Sequence, residues 1–411
     1  MPNAIGASAI FNSPTANRIV TNDSGAAGFT VGSISLDIAS TFTNSLTTGT
    51  AGSNLKLNNG GAGVTITTTG TGTGNNTISV PLVFNDSVTA IVNQTSATSG
   101  AGSLNLTAAI SGPGGFTKQG DGLATLGTGT KTYTGATTLN GGRLRTSLLA
   151  SPTATSSFTI NAGAQLTLIS AGTYTLGSGP LNLNGTGATS GPFAVFPGAI
   201  RSDTNLAITI ANQVILQTNT LLHVEGSATG SLTFTNSVSG PGSLTLAAPN
   251  SSANQGQLVL NAANSYLGGT FVNGGTIVLN SAFATLGAGS VTVDDFLSPL
   301  SIAKLTIQSS VLNGIADTAT LTLAGGGVAG LADENFVELQ TGVIETVSGL
   351  VLGGVAQGPG TYGSTLSGAA NINDEYFSGT GIVTVVPEPG AAAMLLSGLG
   401  MVIGLRRRRG V

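Results

Sequence analysis

Short stretches in which apolar and polar residues alternate recur along almost the whole chain, and no other pattern restricts its fold as much. VGSISLDIA (31–39), VTITT (64–68), SLNLT (103–107), QLTLI (165–169), AITIA (207–211), SLTFT (231–235), KLTIQ (304–308) and TLTLA (320–324) each present one apolar face at a period of two. Such a segment is a strand of about four to six residues that buries one side. Gly, Asn or Ser bounds each of them, the residues that turns require. No stretch before residue 390 sustains an apolar stripe at helical spacing. The expected class is therefore all-β.

The content of the polar faces narrows the architecture. Only 7% of the 411 residues are charged, against about 25% in an ordinary soluble domain. Their place is taken by Ser, Thr, Asn and 63 Gly, and tight Asn-Gly hairpin signals are few. A sandwich or barrel gives no reason for so little charge, whereas a parallel β-helix does. Residues one coil apart stack at about 4.8 Å, so like charges in register would repel. Outward Thr and Asn can form ladders there, inward apolar residues a continuous core, and Gly or Asn the corners. With about 20–25 residues per coil, residues 20–380 would give about 15–18 coils and a rod of about 75–85 Å. Hydrophobic residues at 40% suffice for a core, and the absence of Cys removes a disulfide framework or thiolate metal site.

Two segments repeat directly. GSLNLTAAISGPG (102–114) and GSLTFTNSVSGPG (230–242) agree at eight of thirteen positions. Downstream, Tyr133-Thr134-Gly135 returns as Tyr266-Leu267-Gly268, and Asn140-Gly141-Gly142 as Asn273-Gly274-Gly275. A module of about 130 residues has been duplicated and has drifted, with its clearest segments at 102–145 and 230–280.

SGPGGFTKQGDGLATLGTGTKTYTGATTLNGGRLR (111–145) resembles the autotransporter-associated β-strand repeat through Lys118, Gly120, Gly122, Leu126, Tyr133, Gly135, Thr137, Gly142 and Leu144. The second copy is similar through Asn264, Tyr266, Gly268, Thr270, Gly275 and Ile277, but has Leu246 and AAPNSSANQ where the first has its Lys-x-Gly-x-Gly element. Residues 358–386 resemble the C-terminal segment common in such proteins. The resemblance implies a right-handed parallel β-helix used as a surface or passenger stalk. Residues 1–386 are read as that solenoid and 387–411 as a separate unit.

The final unit runs Pro387-Glu388-Pro389, sixteen uncharged residues, then Arg406, Arg407, Arg408 and Arg409. Pro-Glu-Pro breaks strand and helix alike. A short transmembrane helix is expected beyond it, anchored by Ala391, Leu395, Leu396, Leu399, Val402, Ile403 and Leu405, with the arginines held in the cytoplasm. The order of the three elements resembles the PEP-CTERM sorting signal. That implies recognition by an exosortase, a membrane protease of Gram-negative bacteria, and a transient anchor in the inner membrane. The first thirty residues contain neither a charged n-region nor an apolar h-region, so no signal peptide is visible. The expectation is a reading frame that extends upstream of Met1 to a signal peptide and further coils.

Candidate chemistry is sparse. Outside 387–411 there are eight basic and fifteen acidic residues, which gives no electrostatic footprint for nucleic acid. The one histidine, His223, reads as a stacked surface residue rather than a general base. Asp294-Asp295, Asp333-Glu334 and Asp374-Glu375 are adjacent pairs, and neighbours on a strand point to opposite faces. GTGTGNN (70–76) and GGGVAG (325–330) lack a following Gly-Lys-Ser/Thr and read as solenoid turns. Gly120-Asp121-Gly122 is without the tandem series that calcium repeats need. No catalytic residue, metal or cofactor is assigned. The expected function is that of a non-enzymatic, exported surface or extracellular-matrix protein, structural or adhesive, with exopolysaccharide or other matrix proteins as partners. A β-helix lyase or hydrolase acting on polysaccharide is the first alternative, and an autotransporter passenger fragment or adhesin the second.

Overall fold

The computed structural model describes residues 3–386 apart from 13, 38–40, 71, 94–102, 189–193, 195–196, 204, 227–229, 248–255, 295–302 and 325–335. Strands of two to six residues dominate, and the only helical elements among the described residues are the 3-10 turns Gly25–Ala27 and Leu148–Ala150. Before Gly349–Leu352, consecutive strands do not pair with each other. Each pairs in parallel with the strand one circuit later, as Ser8–Phe11 does with Ser33–Asp37 and Arg18–Asn22 with Asn44–Thr48. The chain is thus a parallel β-solenoid with three faces.

The first face is a ten-stranded sheet from Ser8–Phe11 to Val238–Ser239, and the second a fifteen-stranded sheet from Arg18–Asn22 to Val355–Ala356. The third position in each circuit is held by a four-stranded sheet (Phe29–Val31 to Ile110–Ser111) and later by an eight-stranded one (Gly172–Tyr174 to Phe377–Gly379). The last strand of the second face runs antiparallel, so that face records fourteen coils. At about 4.8 Å each they span roughly 65 Å. Coils are less uniform than expected: Leu258 lies opposite Ile277, 19 residues on, but Leu166 opposite Ile200, 34 on, and Gly172 opposite Ile208, 36 on.

Alternation explains the burial. In Leu55–Leu57, Val88–Val92 and Leu181–Leu183 every second side chain is buried, and these residues join one core cluster that runs from Ala9 to Val385. On the first face one inward column reads Ile34, Ile66, Ala90, Lys118, Leu139, Ile160 and Leu183. Lys118 is the exception, fully buried, and its Nζ donates to the carbonyls of Gln119, Gly120 and Gly141 at 2.9, 2.7 and 3.1 Å. An ammonium has three donors, and here they tie two coils together at a corner. The Gly120 carbonyl of the Gly-Asp-Gly turn is thereby already taken. Asn ladders form as expected at one corner, Asn161 donating to Asn140 at 2.7 Å and Asn184 to Asn161 at 3.2 Å. Another lies inside the core, where Asn44 donates to Asn76.

The duplicated module sits on the solenoid one face out of step. Leu104–Leu106 lies on the second face and its counterpart Ser231–Phe234 on the third; Ile110–Ser111 lies on the third and Val238–Ser239 on the first. Thr137–Leu139 and Gly142–Thr146 likewise move from first to second and from second to third, at Thr270–Val272 and Gly275–Leu279. Local details survive this rotation. Tyr133 donates or accepts across 2.7 Å with Thr137, and Tyr266 across 2.6 Å with Thr270.

Stacking is not parallel to the end. Gly349–Leu352 extends the second face but then turns back through Gly353-Gly354 onto Val355–Ala356. Gly360–Gly363 pairs antiparallel with Ile382–Val385, which is itself parallel to Ile344–Val347. Parallel coils were expected over most of the chain and fill it as far as this fold-back. The fold-back gives strands at this end partners that another coil would otherwise have to supply.

Candidate functional site

The richest concentration of ionisable side chains among the described residues lies on the outer side of the second face. Register stacks Arg145, Thr167, Arg201 and His223 in one outward column over four coils. Arg143 and Gln165 form the neighbouring column, and Asp203 and Glu225 follow two residues after Arg201 and His223. Inward neighbours Leu144, Leu166, Ile200 and Leu222 are in the core, so strand alternation fixes the outward direction of this set.

Outward does not mean exposed here. Arg143, Gln165, Thr167, Arg201 and His223 are all buried. Described residues of the 34-residue coil, Ala188 and 197–198, lie against the sheet here. Ala188 packs on Leu123, Gln165 Nε2 donates to the Gly198 carbonyl at 3.0 Å, and the His223 ring bonds the Pro197 backbone. The reading of His223 as a surface residue is corrected: its strand position is outward, but a long coil covers it.

Hydrogen bonds and ion pairs knit the set. Arg143 Nε donates to Gln165 Oε1 at 2.7 Å. Arg145 pairs with Asp203 at 3.3 Å, and Arg201 with Glu225. Burial, then repulsion by Arg201 and Arg145, pull the Arg143 guanidinium down to about 9, while Asp203 and Glu225 oppose the shift. Burial first, then Arg201 and Arg143, lower His223 to about 4, so its imidazole is neutral at pH 7. Chemically the set offers guanidinium donors for an oxyanion and carboxylates that accept from hydroxyls. Among the described residues no group of three or more His, Asp or Glu is placed to hold a metal ion.

Sequence reading missed this set because it compared neighbours in sequence. The usable signal is one coil of offset: Arg143 and Gln165, Arg201 and His223, and Asp203 and Glu225 are each 22 residues apart. Of the adjacent acidic pairs, Asp294 is described without Asp295, and Asp333-Glu334 lies outside the described residues. Asp374 accepts from the Thr365 backbone in the C-terminal fold-back. Lys304 pairs with Glu338 at 2.8 Å, which lowers the Glu338 pKa.

The residues assigned to sorting and anchoring, Pro387, Glu388, Pro389, Ala391 to Leu405 and Arg406 to Arg409, lie outside the described residues, as does the expected transmembrane helix. Among the described residues no helix is long and apolar enough to cross a membrane.

A concavity of about 360 Å³ opens beside Tyr266, beyond the last described strand of the first face, lined by Asn264, Leu267, Leu286, Asn313 and Ile315. Beneath it the buried Glu345 carboxylate accepts from the backbone of Gly314 and Ile315. Its partners are within the fold, which marks it as structural.

A rod of stacked parallel coils is the class this geometry defines. Residues 116–145 and 253–279 match the passenger-associated-transport-repeat family. The chain thus carries an autotransporter-passenger-type repeat, a surface-exposed kind exported by Gram-negative bacteria. No curated protein and no solved structure matches the chain.

Proposed function

We propose that the chain is a non-enzymatic rod of the bacterial envelope or extracellular matrix, held transiently in the inner membrane and sorted by an exosortase through residues 387–411. The observation that carries the rod is the unbroken coil-to-coil register beginning at Ser8, combined with two passenger-type repeats inside it. Such a stack presents long Thr- and Asn-lined faces at fixed spacing, suited to contact with matrix polymers or other rods. Right-handed winding is the expected hand, since parallel crossovers pack back onto their sheet that way. In the tail, Pro387-Glu388-Pro389 separates rod from anchor, and Arg406 to Arg409 oppose translocation of the C-terminus.

The test is made in an exosortase-bearing host, with fractionation and C-terminal mass spectrometry of the product. The parent should leave the membrane without residues 387–411. Pro387→Ala or Glu388→Ala should remain as an uncut, membrane-held precursor, and replacing Arg406 to Arg409 with Ser should weaken retention. Processing of the Glu388→Ala chain at the parental rate would refute the sorting role. One observation favours a second reading, a polysaccharide-acting enzyme: Asp203 and Glu225 stand one coil apart, each paired with an arginine.

A further inference from the structure

We infer that the outer side of the second face, around Arg145, Arg201, Asp203 and Glu225, is a binding site for an acidic saccharide, a uronate unit of a polymer. The argument begins with rarity. Eight basic residues precede residue 387, and three of them, Arg143, Arg145 and Arg201, meet within four coils. Among the described residues the carboxylates that act on them are two, Asp203 and Glu225. Positive charge therefore exceeds negative in a partly desolvated place, where a further anion is favoured. Stability does not explain the surplus, because like charges stacked along a parallel sheet are costly.

Exposure grades in the way a site requires. The Arg145 and Asp203 side chains are 42% and 33% exposed, Glu225 28% and Arg201 11%, with Arg143 and His223 behind them. Arg145 and Arg201 stand two coils apart, about 9.6 Å along the rod, with Thr167 between them. Arg145 and Arg201 each give one nitrogen to Asp203 and Glu225, and a guanidinium has five N–H donors, so the remaining ones can converge on one further carboxylate. Asp203 and Glu225 accept from ring hydroxyls beside it. A carboxylate flanked by hydroxyls is the chemistry of a uronate. The whole chain carries net charge −4, so no general attraction draws a polyanion to it and any binding must be local. This binding is independent of how the chain is exported or anchored.

The test titrates the full chain with tetragalacturonate by calorimetry at low ionic strength. Maltotetraose and inorganic sulfate are run alongside. Tetragalacturonate should bind, and Arg145→Gln should weaken it at least about tenfold without changing the melting temperature. Arg145→Lys, which keeps the charge but loses the fork, should fall between, and Lys56→Gln on another sheet should bind as the parent does. Equal binding by both Arg145 variants, by maltotetraose or by sulfate would overturn the proposal. So would the absence of heat with tetragalacturonate, and recovery of shortened saccharide would replace it with the enzyme reading.

Discussion

Tyr133 and Tyr266 occupy equivalent places in two diverged repeats, and both rings are fully buried with the hydroxyl bonded to a threonine four residues on. Positions of this kind were legible, because aromatic, glycine and asparagine spacing survives drift when packing depends on it. His223 was not legible. Its residue type and alternation place it outward, which is right, but its burial comes from the length of a different coil. That burial has a measurable consequence. The unfolded imidazole has an ordinary pKa near 6.5 and the folded one about 4. Between those values the unfolded chain binds more protons, so stability is full above about pH 6.5 and falls as pH drops toward 4. Melting curves at pH 7, 5 and 4 should show the parent losing up to about 3 kcal/mol more than His223→Asn over that window. Parallel profiles for the two chains would mean that the ring is hydrated or already charged.

Strands and corners were the most readable elements, and their arrangement in three dimensions the least. Period-two alternation located the short strands and glycine located the corners, but the unequal coils hid both the one-face rotation of the repeat and the charged columns. A circuit of 19 residues at one place and 36 at another has no fixed period to detect. Glycine at the conserved-looking SGPG corner has two separate reasons to be there. Gly112 and its repeat counterpart Gly240 both have φ of +109°, and a Cβ on either would lie 2.4 Å from a carbonyl oxygen of the preceding coil. Gly354, in the terminal hairpin, has φ of +79° but meets nothing within 4 Å. Gly354→Ala should therefore cost only backbone strain, roughly 1 kcal/mol. Gly112→Ala should cost roughly 3 kcal/mol or more, since the coil must also move. Denaturant midpoints compare them directly, and equal losses would contradict the close approach of coils at this corner.

For the whole molecule, composition and repetition pointed to a stack of parallel coils, and the physical reason holds: in-register stacking tolerates Thr and Asn but not rows of like charge. The fold-back after Leu352 was not foreseen, because Gly353-Gly354 resembles any other corner in sequence. The rod and the saccharide site rest on the coil-to-coil register, and a chain without cysteine permits a clean test of it. Thr138 and Thr159 are outward partners on adjacent coils of the first face, and Asn182 lies one coil further. Adjacent coils set Cα atoms about 4.8 Å apart, within disulfide reach, whereas two coils set them about 9.6 Å apart, beyond it. Air oxidation of Thr138→Cys/Thr159→Cys should give an intramolecular disulfide in near-complete yield, and Thr138→Cys/Asn182→Cys should remain reduced. Failure of the first pair to close, or equal closure of the second, would contradict the parallel solenoid.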